Sequence, residues 1–377
     1  MATAVALALT MGACSAGTPT ARKVSPPKAR STAPSSPGGT QGGGTQSGGI
    51  QGGGTQGGGT STTLVTLHLG YFPNLTHATA LAGMHEGIFA KALGPTVRLR
   101  TSTFNAGPAE VEALFSGALD AAYLGPNSAI NAFSKSGGSA ITVVSGATSG
   151  GAALVVKPSI GSAADLRGKR LATPQLGNTQ DVALRTWLTS QGIKTDVQAG
   201  GDVTILPQDN AQALQAFEAG AIDGAWIPQP WATRLVQEGG GKVLVDEKTV
   251  WPGGKFATTL LAVRTEFAKK HPDTIKALLR GQVQANDLVN ANPLQAQTDA
   301  NAEIAASTGK PLDERVIAAA WPTLTFTDDP TASSLQESAD HATAAGLLHK
   351  TDLKGLLDLT VLNQVLAAAK EPEVQGT

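Results

Sequence analysis

One phrase occurs twice in this chain, and the repeat constrains its architecture more than any other feature. From Ala113 the sequence reads ALFSGALDAAYLGP and from Ala216 it reads AFEAGAIDGAWIPQP, in register at an offset of 103 residues. Each copy ends a helical pattern at Gly-Ala, places an aspartate, and continues into a short apolar run with an aromatic residue. A helix-to-strand passage made twice at domain-sized spacing predicts two similar α/β units in tandem.

The segments around the copies fit that reading. Residues 64–72 (LVTLHLGYF) alternate as a strand, and 76–93 carry apolar residues at helical spacing with Thr76 as a possible N-cap. A strand at 96–104 follows, then a helix with Pro108 in its first turn, the strand LDAAYLG, the helix PNSAINAFSKSG and the strand ITVVSGAT. GGAALVVKP leaves this unit. A second series opens with a strand at 169–173 and the helix NTQDVALRTWLTSQG, and ends in IDGAWI. Residues 255–267 read as a strand returning to the first unit, and the remainder is almost entirely helical in pattern. Strands alternating with helices of this length indicate a mostly parallel sheet in each unit. The expected organisation is 64–152 as lobe 1, 153–254 as lobe 2, and 255–377 as a return to lobe 1 with C-terminal helices.

Residues 15–63 differ in kind, because SPPKARSTAPSSPGG leads into a repeat of Gly, Thr and Gln with almost nothing to bury. Such a tract cannot offset its ordering entropy. It reads as a flexible linker with a random-coil reach of roughly 35–40 Å. Its glycines follow no strand and precede no Gly-Lys-Ser/Thr, so they are not a phosphate loop. The linker holds Arg22, Lys23, Lys28 and Arg30 and no acid, which leaves 24 basic against 29 acidic residues elsewhere. That balance argues against nucleic acid as a partner. Residues 1–14 are an apolar run too short to span a bilayer, ending in TMGAC at Cys14, the single cysteine. This ending resembles the bacterial lipoprotein signal, with Met11 where that pattern prefers leucine, and implies lipidation of Cys14. One cysteine excludes an intrachain disulfide and a cysteine-cluster metal site.

A broader resemblance rests on GYFPNLTHATAL, EGIFAK, FNAGPAEVEALFSGALDAAYLGP, DLRGKRLATPQLGNTQDVALRTWL and ALQAFEAGAIDGAWIPQPWA. In that order they are similar to the solute-binding components of ABC importers, within the group that takes aliphatic sulfonates, taurine and nitrate and also includes thiamine-precursor binders. The resemblance covers roughly residues 64–350. It implies a bilobal, hinged periplasmic-binding-protein-like fold of type II and a small-molecule ligand. It further implies ABC permease subunits as partners, a monomer, no cofactor, and a place outside the cytoplasm on the membrane that a lipid at Cys14 would anchor.

Ligands of open α/β sheets bind at the carboxyl ends of the strands, which selects the candidate site residues. In lobe 1 these are Tyr71, Phe72, Asn74 and His77, then Asn105, Ala106 and Gly107, then Gly125, Asn127 and Ser128, with Thr148 and Ser149 at the crossover. Lobe 2 offers Gln175, Gly177, Asn178 and Thr179, then Gln229 and Trp231. Gly125, Asn127 and Ser128 are expected to face Gln229 and Trp231 across the cleft. Asp120 and Asp223, at the amino ends of their strands, read as turn residues.

Almost all the candidates are neutral, and two ligand readings stand. FNAGP, GPNS and GNTQ each feed a helix, so backbone N–H groups with Asn, Ser and Thr donors suit a sulfonate or similar oxyanion. Alternatively, Tyr71, Phe72, Trp226 and Trp231 sandwich an aromatic heterocycle, although Trp226 lies inside its strand and reads as core. His77 reads as a partly exposed residue at a helix start. A charged His77 donating to an anion would strengthen binding as pH falls through its pKa. With His85 it makes a poor metal site, since no carboxylate ligand supports the pair. No Gly-x-Ser-x-Gly, no His-Glu-x-x-His and no Gly-x-Gly-x-x-Gly after a strand supports an enzyme. The thiamine-pyrimidine synthases, which share the fold, use a cysteine that this chain has only in its leader.

Overall fold

Both expected series of alternating elements are present in the computed structural model, which describes Leu64–Gly376 apart from Ala199. The leader, Cys14 and the linker lie outside the described residues. The first series is β1 (Val65–Tyr71), α1 (Ala78–His85), α2 (Ile88–Leu93), β2 (Val97–Thr103), α3 (Gly107–Phe115), β3 (Ala121–Leu124), α4 (Pro126–Lys135) and β4 (Ile141–Gly150). The second is β5 (Ala152–Val156), β6 (Arg170–Thr173), α5 (Thr179–Ser190), β7 (Thr204–Pro207), α6 (Asn210–Glu218), β8 (Gly224–Pro228), α7 (Trp231–Gln237) and β9 (Lys242–Asp246). The chain returns through β10 (Ala257–Arg264), α8 (Thr265–Lys270), α9 (Pro272–Ala291), α10 (Pro293–Thr308) and α11 (Glu314–Ala320). It ends with β11 (Leu324–Phe326), α12 (Ala332–Ala344) and α13 (Thr360–Ala369).

The strands form two sheets, ordered β11-β4-β10-β3-β1-β2 and β7-β6-β8-β5-β9. In each, three parallel strands (β2-β1-β3 or β7-β6-β8) are followed by an antiparallel one, β10 or β5. The sequence repeat is therefore a repeat of topology, and β3 and β8 hold equivalent places. Alternate residues of the strands are buried on opposite faces. Leu67, Leu69 and Tyr123 pack toward α1, α9 and α10, while Ala122 and Leu124 pack toward α3, α4 and α12. In the second sheet Leu171 and Trp226 meet α5, while Ala172 and Ala225 meet α6 and α7. Trp226 is fully buried, as its place within the strand implied.

The repeated aspartates do the same work twice. The backbone N–H of Asp120 donates to His68 O and its carboxylate accepts from His68 N, so Asp120 locks β3 to β1. Asp223 does the same with Arg170 O and Arg170 N, locking β8 to β6. Each aspartate also has a nearby arginine, Arg264 on Asp120 at 2.8 Å and Arg170 beside Asp223 at 3.8 Å. The preceding glycines, Gly117 and Gly220, sit at φ 74° and 70°. A β-carbon is strained there, so each helix ends in a turn that favours glycine.

Two expectations need correction. The helix expected at 76–93 is broken at Gly87, whose φ of 67° cannot continue a right-handed helix. Its start also differs, because a 3-10 turn over Leu75–His77 comes first, with Asn74 rather than Thr76 at the N-cap position. Each sheet is also mixed rather than mostly parallel, since β10-β3, β10-β4 and β11-β4 pair antiparallel in the first and β5 pairs antiparallel with both β8 and β9 in the second.

The chain crosses between the lobes at Gly150-Gly151 and again over residues 247–256. Gly150 and Gly151 have φ of 80° and 76°, and a Cβ on Gly151 would lie 2.1 Å from Leu324 Cδ2. Only glycine fits this crossing. Among the described residues no helix is long and apolar enough to cross a membrane.

Candidate ligand-binding cleft

The carboxyl ends of the parallel strands of both sheets open toward one another. Between them lies a small inner cavity with room for about 30 Å³. That is the space of one or two water molecules, so the lobes stand nearly closed. Phe72, Asn74, Thr76, His77, Gly107, Gly125 and Ser128 line it from lobe 1, with Asn178, Thr179, Gln180 and Pro228 from lobe 2 and Thr258 from β10. No lysine, arginine, aspartate or glutamate is among them.

Helices α3, α4 and α5 all start at this cavity, with Gly107 and Thr179 as first helical residues and Ser128 in the first turn of α4. The leading N–H groups of a helix have no intrahelical acceptor and carry partial positive charge. Neither α3 nor α4 has a side-chain cap at its N-terminus. On α5 the Asn178 side chain accepts from Asp181 N at 2.9 Å and leaves the earlier N–H groups uncapped. The Asp181 carboxylate braces the same loop, accepting from Gly177 N, Thr173 Oγ1 and Arg185 Nε at 2.9–3.0 Å. The Thr179 hydroxyl is buried and has no hydrogen-bond partner among the described residues.

His77 differs from expectation, because it is 2% exposed rather than partly exposed. Its Nδ1 accepts the Phe72 N–H at 3.3 Å, and its ring lies 4.4 Å from the Phe72 ring. Burial lowers its pKa from 6.5 to about 3. The neutral ring keeps its proton on Nε2, which makes His77 an uncharged donor. The expected rise in anion affinity near pH 6.5 therefore has no charged histidine behind it. His85 lies apart from it, 3.9 Å from Asp299 at the other end of α1.

The structure places the remaining candidates elsewhere. Tyr71 donates through its hydroxyl to Glu303 on α10 at 3.0 Å. Asn127 is turned back onto Ser338 O of α12 at 3.0 Å. Thr148 donates to Thr76 O, and Ser149 Oγ accepts from Phe256 N at the crossing. Asn105, Ala106 and Gln175 line a wider cavity at the cleft mouth, where Asn105 Nδ2 donates to Asp209 across the lobes at 3.2 Å. Trp231 bridges the lobes from outside the inner cavity, its Nε1 donating to Asn74 Oδ1 at 2.9 Å. Gln229 lines a separate cavity beside α7. Gly125 thus meets Thr179 rather than Gln229 and Trp231, since a Cβ at 125 would lie 2.5 Å from Thr179 Oγ1. Of the four aromatics a sandwiched heterocycle needs, only Phe72 lines the inner cavity.

Sequence reasoning missed Thr76, Gln180, Pro228 and Thr258. The first three adjoin predicted loops and were within reach of the same argument. Thr258 had no signal, because it lies in an apolar run that reads as an ordinary strand.

Known proteins share this architecture. The taurine-binding periplasmic protein of Escherichia coli (strain K12) is 33% identical over 211 residues, covering 55% of this chain and 62% of that protein, so the match spans less than two thirds of that relative. The alkanesulfonate-binding protein SsuA from Xanthomonas axonopodis pv. citri, bound to MOPS, superposes with a TM-score of 0.64 at 21% identity, covering 76% of this chain and 95% of that one. The periplasmic nitrate-binding protein NrtA from Synechocystis PCC 6803 superposes at 0.67 with 15% identity, covering 82% and 90%. These likenesses place the chain in the periplasmic-binding-protein-like fold. The model of the NMT1-like family matches residues 61–308, well over half of the sequence, and the chain therefore belongs to the NMT1-like family.

Proposed function

We propose that this protein is an extracytoplasmic solute-binding component of an ABC importer that captures a small oxyanion-bearing solute of the alkanesulfonate or taurine type. It releases that solute unchanged to permease subunits and acts as a monomer without a cofactor, held at the membrane by a lipid on Cys14. The observation that carries the reading is the convergence of three helix N-termini from two lobes on one cavity. Uncapped N–H groups, the Thr179 and Ser128 hydroxyls and the neutral His77 all supply donors there. Such a site stabilises an anion without a full positive charge. The small volume favours a compact oxyanion head over a heterocycle. The names of the relatives, for taurine, alkanesulfonate and nitrate, support the same ligand class. A solute larger than the cavity enters as the lobes part about Gly150-Gly151 and residues 247–256.

The test is a thermal-shift and calorimetric screen of the protein against taurine, ethanesulfonate, nitrate, bicarbonate and thiamine precursors. Saturable binding of a sulfonate with a rise in melting temperature is the expected outcome. Stabilisation by a thiamine precursor and by none of the anions overturns the oxyanion reading, and turnover of a bound solute overturns the carrier reading.

A further inference from the structure

Beside α7 lies a separate, partly open cavity of about 220 Å³ that shares no lining residue with the inner cavity. It is larger than the roughly 150 Å³ apolar cavity known to take a benzene ring. Its walls are chiefly small and apolar, with Ala152, Ala232, Val236 and Val243 from lobe 2 and Ala319 from α11. Thr233, Gln237 and Thr323 also reach its wall, and Gln229, only 6% exposed, is the most deeply buried of its polar residues. Gln229 Oε1 is occupied by Thr233 N at 3.1 Å, while its Nε2 has no acceptor among the described residues. The sequence had singled out Gln229 for the main cleft, and the fold turns it here instead. Asp246 also lines this cavity, so a second anion is disfavoured, and its ion pair with Lys248 at 3.2 Å leaves little attraction for a cation.

We infer that this cavity is an effector site for a small, neutral, largely apolar molecule bearing one hydrogen-bond acceptor, which Gln229 Nε2 engages. Two lobes build it. Lobe 2 supplies β5, α7 and β9, whereas α11 packs into the core of lobe 1 through Ile317 and Ala320. Only a rim contact, Gln237 Nε2 to Arg315 O at 3.3 Å, bridges α7 and α11 by hydrogen bonding. A molecule filling the space touches both lobes and so favours the arrangement in which they are together. Any ligand that binds one arrangement better must raise the affinity of another ligand that does the same. Occupation of the cavity therefore tightens solute binding in the cleft. The coupling rests on the oxyanion reading, but the site itself does not.

Cyclohexanone is a suitable probe, with cyclohexane as the control that lacks an acceptor. The expected result is saturable cyclohexanone binding by NMR saturation transfer, with cyclohexane at least fivefold weaker. Ethanesulfonate affinity should rise threefold or more when the ketone is saturating. Ala319→Leu fills the cavity mouth from an exposed helix position, and should abolish both effects without unfolding the protein. Ala232→Leu, filling it from the other lobe, should do the same. Ketone binding that is absent, or unchanged in both variants, overturns the site. Binding at the site with unaltered ethanesulfonate affinity overturns the effector role. Failure of every sulfonate to bind counts against the oxyanion reading and removes the coupling with it, while Ala319-sensitive ketone binding still supports the site.

Discussion

Replacing Thr179 by valine should move stability and affinity in opposite directions. In the closed structure the hydroxyl is buried, has no hydrogen-bond partner among the described residues, and sits at the start of α5 against Gly125. A buried hydroxyl without a partner costs about 1–3 kcal/mol by protein mutational scales. Valine removes that cost with nearly the same shape, although its added methyl meets Gly125 a little more tightly than oxygen does. The protein without solute should therefore be unchanged or gain up to about 1 kcal/mol in urea unfolding. With an oxyanion in the cleft the hydroxyl becomes a donor, and losing a donor to a charged acceptor costs about 1.5–3 kcal/mol. Affinity for ethanesulfonate should accordingly fall roughly 10- to 150-fold, since 1.4 kcal/mol is about tenfold. Calorimetric titration and urea unfolding of the wild type, Thr179→Val and Thr179→Ser measure both quantities. Serine keeps the hydroxyl and should restore most of the affinity. Valine binding as tightly as wild type would show that the hydroxyl does not touch the solute. A stability loss above about 1 kcal/mol would show that the hydroxyl has a partner in solution.

Other consequences follow from neighbouring contacts. Gly125 has an ordinary φ of −72°, so Gly125→Ala adds no backbone strain, yet its Cβ would press on Thr179 Oγ1 at 2.5 Å. Solute affinity should drop at least tenfold with little change in unfolding free energy, and unaltered affinity refutes the proposed closure contact. Asp223→Ala removes the lock on Arg170 N and should cost about 1–3 kcal/mol in urea unfolding. It lies at the far end of β8, so calorimetric affinity should not change. With a folded pKa near 3 against 6.5 for a free histidine, His77 takes up a proton on unfolding anywhere between these values. Its contribution is complete above pH 6.5 and is lost as pH falls, by about 1.4 kcal/mol per pH unit within the window. Glu247, raised by burial from 4.5 to about 7 despite the Trp226 and Trp251 indoles, acts in the opposite sense. The native chain holds that proton, so the Glu247 contribution falls as pH rises from 4.5 to 7. His77→Gln should flatten the acid limb of the stability–pH curve measured by urea unfolding, and an unchanged limb shows that His77 is not its source. His77 itself should leave sulfonate affinity level between pH 8 and 5, and a rise toward pH 5 that His77→Gln removes would show a charged ring.

Much of the architecture was written in the chain. The offset repeat, the Gly-Ala-aliphatic-Asp turns and the alternation of strand and helix patterns determined two α/β units of like topology. Local chemistry suffices for this, because left-handed turns favour glycine and a strand with two covered faces is apolar throughout. The sequence also marked the three loops FNAGP, GPNS and GNTQ, since the start of a helix is a local event. It could not say which way side chains on those loops turn. Asn127 reaches Ser338 on α12 and Tyr71 reaches Glu303 on α10, each drawn by a partner far along the chain, while Gln229 bonds the nearby Thr233 N and lines a separate cavity. His77 looked like a partly exposed helix start, but it is buried beside the Phe72 and Tyr123 rings, and burial alone made it neutral. The loops belong to the sequence. The cavity, its neutrality and the unsatisfied hydroxyl of Thr179 exist only once two distant lobes are brought together, because burial and hydrogen-bond partnership are properties of the assembled chain.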